Sequence, residues 1–540
     1  MKYVTVKEMI AIEKESDAAG HTYPEMMEHA GRGLAEILHE EFDEYDDNTA
    51  LGLVGAGNNG GDTLVAFCYL QEWGWQTTAF IVRPRPASDP LLARAQAAGV
   101  EILDIESDVK FKQLETALAQ HDVLFDGVLG TGIQLPLRGA IAKVLDYVQA
   151  ELLAMDDPPM VVAVDCPSGV DCDSGQAASE CIPADLTVTM AAVKRGLLKL
   201  PAYDLLGDLV GVSIGLPEGL KAQSAVRREV ITAGWVSEQF PERPSDAHKG
   251  TFGTALVVAG SMEFSGALAL AGEAAYRIGA GLVTLGASAS LHSALAGRLP
   301  EATWLLLPHE KGAIAAAAAD VVRENIERVT ALLLGPGFGM AESTGEFLKR
   351  LFGNHINKKS GSLGFIKIPE TEAQKEAFAL PPLVIDADGL KLLAKLPDWA
   401  ALLPKSAVLT PHPGEMAALT GLETAEIQTD RLGIAERFAA EWGHVVVLKG
   451  AFTVIAAPDG RTMIVPVASS ALARAGSGDV LAGLITGLRA QGLEAFEAAA
   501  AGAWIHAQAG LMAAEMQGNT ATVLAGDLLN ALPGVLEQLL

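Results

Sequence analysis

Basic side chains are scarce in this sequence: 39 lysines and arginines stand against 67 aspartates and glutamates, a formal net charge of −28. With no concentrated basic patch, so acidic a surface repels phosphate backbones and anionic lipid, which excludes nucleic acid and membrane surfaces as partners. The excess is uneven, with 35 acidic and 14 basic side chains in residues 1–220, and solubility accounts for it. Cysteine is scarce too. Its four copies, Cys68, Cys166, Cys172 and Cys181, form no C-x-x-C pair and no zinc-like spacing, which points to reduced thiols in a cytoplasmic protein. No apolar run reaches the ~18 residues that cross a bilayer, and MKYVTVKEMIAIEKESD at the N-terminus has no apolar signal-peptide core. A Walker A pattern is also missing, which removes the P-loop NTPases.

What the chain has is length and rhythm. Its 540 residues, half of them hydrophobic, are enough for two or more domains with full cores. Residues 7–40 carry apolar positions at helical spacing. Strand-like runs then follow at 50–54, 77–82, 123–130, 160–165 and 186–192, separated by helical stretches, the pattern of a parallel sheet covered on both faces. A charged connection, EGLKAQSAVRREV, leads to a second series with strands expected at 253–260, 329–335, 382–388, 406–411 and 445–460, and then to an alanine-rich helical third. The expected architecture is therefore α/β with two different domains, 1–220 and 225–540. Residues 354–380 read as an insertion or surface excursion.

In the first half, GAGNNGGDTLVAF (55–67) fits G-x-G-x-x-G after a strand, a turn that aims backbone N–H groups at a pyrophosphate. The redox version of that turn has an acidic residue about 20 positions on to grip a ribose, whereas here the next strand-like run ends in Arg83 and Arg85. The loop instead carries the side-chain oxygens of Asn58, Asn59 and Asp62. Two more loops follow strand ends: FDGVLGTG (125–132), with Asp126, Gly130, Thr131 and Gly132, and DCPSGVDCDSG (165–175), with Asp165 and Ser168. Asp165 stands where a general acid or base could act, or where a helix cap or turn aspartate would sit. Asn59, Asp126 and Ser168 together offer neutral and singly charged oxygens, which suit a hard, weakly charged cation.

With MMEHAG (26–31), these loops resemble the NAD(P)H-hydrate epimerases, the YjeF N-terminal domain, over about residues 1–220. The resemblance implies a Rossmann-like three-layer α/β/α domain. It places Asn58, Asn59, Gly60, Gly61, Asp62, Gly130, Thr131, Gly132 and Asp165 around the hydrated dinucleotide. It also gives Asn59, Asp126 and Ser168 to potassium, and makes Asp165 the catalytic acid/base. The chain departs from the family pattern at Ala56, Thr63 and Cys166, all outside the proposed ligand set.

In the second half, ARAGSGDVLAGLITGL (473–488) opens an apolar helix with Gly476, Ser477 and Gly478 and sets Asp479 in its first turn. A backbone anion hole beside a carboxylate suits phosphoryl transfer. TPHPGEMAAL (410–419) contributes His412, LKGAFT contributes Lys449 to Thr453, and GPGFG (335–339) and DADGL (386–390) lie at further strand ends. HPGEM, LKG and GSGDVLAG in that order resemble the ADP-dependent NAD(P)H-hydrate dehydratases, the YjeF C-terminal domain of the ribokinase-like fold, over about 225–540. The resemblance makes Asp479 the base, lets Lys449, Gly450, Ala451, Phe452, Thr453, Gly476, Ser477 and Gly478 line the nucleotide, and sets Gly337, His412 and Asp479 against the hydrate.

The two resemblances together imply a bifunctional enzyme that epimerises R and S hydrates of NADH or NADPH and dehydrates the S form with ADP, or ATP, giving AMP and phosphate when ADP is used. Magnesium is expected as the nucleotide's companion, the partners as small molecules, and the chain as a homo-oligomer. A ribokinase-like vitamin kinase fused to a dinucleotide-binding regulatory domain shares the GSGD element and stands as the alternative. None of these motifs separates NADH from NADPH.

Overall fold

The computed structural model describes residues 1–42, 48–86, 88–353 and 379–540, so nearly all of the expected excursion at 354–380 lies outside the described residues. The chain divides into two compact units, Met1–Val230 and Ile231–Leu540. The strand Arg228–Val230, beyond the sequence-derived start at 225, belongs to the first of them and pairs with the N-terminal strand Lys2–Val4.

The first unit is built on seven parallel strands, in the order Glu101–Asp104, Gln76–Ile81, Thr49–Val54, Val123–Gly127, Met160–Val164, Leu186–Met190, Asp208–Val212. Strand alternation sends neighbouring side chains to opposite faces. Ala50 and Val54 join an apolar cluster with the helices Val6–Ala18, Tyr23–Glu41 and Asn58–Glu72. Leu51 and Leu53 enter a second cluster, with Lys112–Leu118 and Gly139–Ala154. Three layers result. From Thr49–Val54 and Val123–Gly127, side by side at the centre, the chain order runs outward in both directions, and that reversal opens a crevice at the strands' C-terminal ends.

In the second unit the strands run Thr303–Leu306, Leu282–Ala287, Thr254–Val258, Ala331–Leu334, Leu383–Ile385, Val408–Leu409, Val445–Leu448, all parallel, followed by Val454–Ala456 and Thr462–Ile464, antiparallel. Val257 and Leu333 pack with the alanine-rich helices Ser477–Ala490, Ala495–Gln517 and Ala525–Leu539, while Leu256 and Leu334 pack on the opposite face. Two of the strands not anticipated, Glu101–Asp104 and Thr303–Leu306, lie at sheet edges and are partly exposed, so they lack the continuous apolar run that marks a strand buried on both faces. Among the described residues no helix is long and apolar enough to cross a membrane.

The crevice depends on close backbone approach. A Cβ on Gly55 would stand 1.9 Å from the Val128 carbonyl oxygen, and one on Gly60 would stand 2.2 Å from that of Gly55. Gly55→Ala should therefore destabilise the first unit by about 3 kcal/mol, read as a lowered urea midpoint. At Gly57 an added Cβ meets nothing within 4 Å, so Gly57→Ala should stay within about 1 kcal/mol.

Candidate active sites

A cavity of about 660 Å³ fills the crevice of the first unit, within the size range of small-molecule sites. Gly57, Asn58, Asn59 and Asp62 line it from the start of the helix Asn58–Glu72, Gly130, Thr131 and Gly132 from the next loop, and Asp165 from the end of Met160–Val164. Gly60 and Gly61 are packing positions, set against Gly55 and Met27. The departure at Thr63 is absorbed locally, because its hydroxyl donates to the Asn59 carbonyl at 2.8 Å.

Asp165 has φ 67°, a left-handed conformation uncommon outside glycine that aspartate adopts more readily than most residues. Its Oδ1 accepts from Met190 N–H at 2.9 Å, from Thr189 Oγ1 at 3.2 Å and from the Lys194 ammonium. Oδ2 is the oxygen left for a ligand. Lys194 ends the short strand Ala192–Lys194 and is almost fully buried; burial opposes its charge, but the Asp165 carboxylate outweighs that and raises its pKa. Glu13 and Asp62 line the same cavity. Burial, together with the negative charges around them, raises both carboxyls, that of Asp62 well above the usual range. Cys166, beside Asp165, is inert: a hydrogen bond with Cys172 and complete burial push its thiol far up.

Asn59, Asp126 and Ser168 meet around the Leu129 backbone. The Asn59 amide donates to the carbonyls of Leu129, at 3.2 Å, and Val164. Asp126 Oδ2 accepts from Ser168 N–H at 2.7 Å, and Ser168 Oγ from Leu129 N–H at 2.8 Å. Asp126 Oδ1 receives only a 3.5 Å contact from Val128 N–H. Burial raises the Asp126 carboxyl despite its bonds to Ser168. The set is all oxygen with a single carboxylate, a donor chemistry that fits a hard monovalent cation.

In the second unit a chain of polar contacts links three of the sequence motifs. His412 caps the helix Pro413–Thr420, with Nδ1 accepting from Gly414 N–H at 3.0 Å and Nε2 lying 3.2 Å from Glu415 Oε1. Lys449 Nζ lies 3.8 Å from Glu415 Oε2 and donates to Asp386 Oδ1 at 2.6 Å. A Cβ on Gly478 would sit 3.5 Å from that same Nζ, which brings GSGD to the group. Burial first, then the charges of Asp386, Asp388 and Glu415, push the Asp479 carboxyl up to about 7 against the pull of Lys449. GPGFG joins through Gly339 N–H, which donates to Asp388 Oδ2 at 2.9 Å, while Gly337 itself packs on the Phe264 backbone. Gly450 to Thr453 form a turn closed by Thr453 Oγ1 on the Gly450 carbonyl at 2.9 Å, with Phe452 at φ 53°. Ser477 spends its hydroxyl on the Leu472 and Arg474 carbonyls, so its role is to close the loop. Buried His506, its pKa lowered to about 4 by burial, meets the Ser477 carbonyl at 2.9 Å. Among the described residues no group of three or more His, Cys, Asp or Glu forms a metal cage.

Sequence reasoning placed Glu415 beside His412 in a strand-to-helix turn but did not single out Lys194, Glu13, Asp386 or Asp388 as site residues. Lys194 and Glu13 stand in no strand-end loop motif. Asp386, Asp388 and Glu415 were inside motifs already noticed, and a strand-end D-x-D was the available signal.

Lys194→Met should cost about 3 kcal/mol, because it leaves the Asp165 carboxylate buried without its counter-charge. Combining it with Asp165→Asn should recover more than 1 kcal/mol of that loss, a coupling that a double-mutant cycle of urea unfolding measures.

The family model described as NAD(P)H-hydrate dehydratase matches residues 255–534, and that described as YjeF-related protein N-terminus matches residues 24–196. The bifunctional NAD(P)H-hydrate repair enzyme Nnr of Moorella thermoacetica is 37% identical over 522 residues, 95% of this chain and 92% of that protein. Its namesakes from Salinibacter ruber and Escherichia coli are 35% and 32% identical, covering 95% and 97% of this chain and 92% and 91% of theirs. The crystal structure of an ADP/ATP-dependent NAD(P)H-hydrate dehydratase from Bacillus subtilis, co-crystallized with ATP and Mg2+, is 31% identical, with a TM-score of 0.45 over 58% of this chain and 98% of that one. Both halves of the chain are thus matched, and the chain belongs to the family of bifunctional NAD(P)H-hydrate repair enzymes.

Proposed function

We propose that the first unit interconverts the R and S hydrates of NADH or NADPH, and that the second dehydrates the S form with ADP, releasing AMP and phosphate. The observation that carries this reading is the Asp479 carboxyl, pushed up to about 7 at the mouth of a glycine-lined helix N-terminus and within the field of Lys449. A carboxyl with that pKa is matched to general-base work at neutral pH.

In the second unit Asp479 takes the proton of the hydrate's hydroxyl as its oxygen attacks the terminal phosphorus of ADP, and AMP departs. The ring nitrogen's lone pair then expels phosphate, and loss of a ring proton restores the dihydropyridine. Lys449 and the N–H groups beyond Gly476 steady the phosphoryl oxygens. Magnesium would travel with the nucleotide. In the first unit the same lone pair expels the hydroxyl. Asp62, its carboxyl raised by burial, supplies a proton to the leaving water, Asp165 takes one from the water that returns on the opposite face, and exchange with solvent returns both carboxyls to their starting states. Asn59, Asp126 and Ser168 would hold potassium, whose positive charge would fix the loop Gly130–Gly132. The vitamin-kinase alternative is not favoured, since the repair-enzyme relatives cover both units.

Both hydrate epimers, given with ADP, should regain the absorbance of the reduced ring. Asp479→Asn should slow that recovery about 100-fold or more, and the wild-type rate should climb as pH passes about 7, where Asp479 ionises. Unchanged turnover in the variant would remove Asp479 from the mechanism. Because the folded pKa lies above the ordinary aspartate value of 3.8, the group's cost to stability grows from pH 3.8 to about 7 and stays constant above. Asp479→Asn should therefore raise Tm, and by more at pH 8 than at pH 5.

Asp126→Ala should slow epimerisation and leave dehydration of the S form untouched. Anomalous scattering that finds no potassium among Asn59, Asp126 and Ser168 would refute the cation site.

A further inference from the structure

Two arginines follow the strand Gln76–Ile81, and the structure gives them different tasks. Ile81 is paired with Val54, and Val82 N–H donates to the Val54 carbonyl at 3.0 Å, so this segment runs beside the glycine turn 55–57. Arg85 is committed to the protein: Nη1 donates to the Gly55 carbonyl at 2.7 Å and Nε to Asp89 Oδ2 at 2.7 Å. That clamp fixes the backbone on which Arg83 stands. Arg83 itself is exposed, lines the same cavity as Gly57 and Asp165, and among the described residues has no hydrogen bond or ion pair. The other cation lining the cavity, Lys194, is spent on Asp165.

The order of strands turns this into a direction. Met160–Val164, Val123–Gly127, Thr49–Val54 and Gln76–Ile81 are consecutive neighbours, so their C-terminal loops present Asp165, then Gly130–Gly132, then Gly57, then Arg83 along one edge. Three inter-strand spacings separate the ends of that series, about 14 Å. A dinucleotide with its hydrated ring at Asp165 and its pyrophosphate over Gly57, where an added Cβ meets nothing, reaches the end of Gln76–Ile81 with its adenosine ribose. In dinucleotide folds an acidic side chain at that strand end takes the ribose 2′-hydroxyl and turns away a 2′-phosphate, whereas an arginine accepts the phosphate. The acid nearest on the neighbouring strand, Asp104, is turned to its own loop, accepting from Ser107 N–H at 2.8 Å.

We propose that Arg83 binds the 2′-phosphate of the adenosine ribose and that the first unit prefers hydrated NADPH to hydrated NADH. The proposal rests on the epimerase reading above. A planar guanidinium with no protein partner is free to take two phosphate oxygens at once, and the selectivity lies in binding, remote from the reacting carbon.

The test uses the full chain without ADP and follows epimerisation of each purified hydrate by chromatography. The wild type should show kcat/KM at least about tenfold higher for the NADPH hydrate, carried by KM. Arg83→Ala should remove about that factor for the NADPH hydrate with kcat unchanged, and leave the NADH hydrate as it was; Arg83→Lys should keep part of it. As a competitor of epimerisation, adenosine 2′,5′-bisphosphate should outperform 5′-AMP against the wild type and lose that advantage against Arg83→Ala. Equal kcat/KM for the two hydrates in the wild type, or an equal loss on both in Arg83→Ala, would overturn the role of Arg83 while epimerisation stands. A wild type that epimerises neither hydrate would instead overturn the functional reading together with it.

Discussion

A lysine withdrawn from water has to be matched by an anion, and each unit's site is organised around one such match. Lys194 is almost fully buried and is held by Asp165, Thr189 and the Met190 carbonyl; Lys449, with 16% of its side chain exposed, is held by Asp386 and Glu415. An ion pair of this kind adds little net stability, but removing one partner is costly, so each pair pins its strand ends in register with the other. Asp165 at φ 67° carries one of the paired carboxylates, and Ala387 at φ 53° follows Asp386, which carries the other.

Once the counter-charge is fixed, the remaining carboxyls respond to it. Burial raises Asp479 to about 7, and the charges of Asp386, Asp388 and Glu415 add to that against the pull of Lys449. In the first unit Lys194 serves Asp165, and burial first, then the Asp165 charge, raises Asp62 and Glu13. In the proposed scheme the raised carboxyl of each site carries the proton. Raising a carboxyl in this way costs folding stability, since apolar or neutral side chains would pack there more favourably.

The chemistry of the two units is complementary. In the proposed scheme both act at the ring carbon that bears the hydroxyl next to nitrogen, and both rely on the nitrogen's lone pair to expel it. They differ in what improves the leaving group, a proton in one and a phosphoryl group in the other. In the proposed scheme the first unit erases the stereochemical mismatch that would leave one epimer beyond the reach of the second.

The sequence by itself determined the α/β class, the main central strands and the loops that carry Asp165 and Asp479. These are properties of local composition: an apolar run buried on both faces, a glycine turn and an N-terminal helix aspartate are each written within about a dozen neighbouring residues. It left the edge strands Glu101–Asp104 and Thr303–Leu306 unseen, because half-exposed strands need no continuous apolar run. Only the tertiary structure decided which charges meet. Lys194 reaches Asp165 from 29 residues away and Lys449 reaches Asp386 from 63, each from a segment that no local pattern links to its partner. The same holds for Arg83 and Arg85, alike in sequence and separated in function because one finds the Gly55 carbonyl and Asp89 while the other faces the cavity. A Coulomb interaction acts across space and leaves no period in the sequence, so the proton carriers could be settled only by the fold that gathers them.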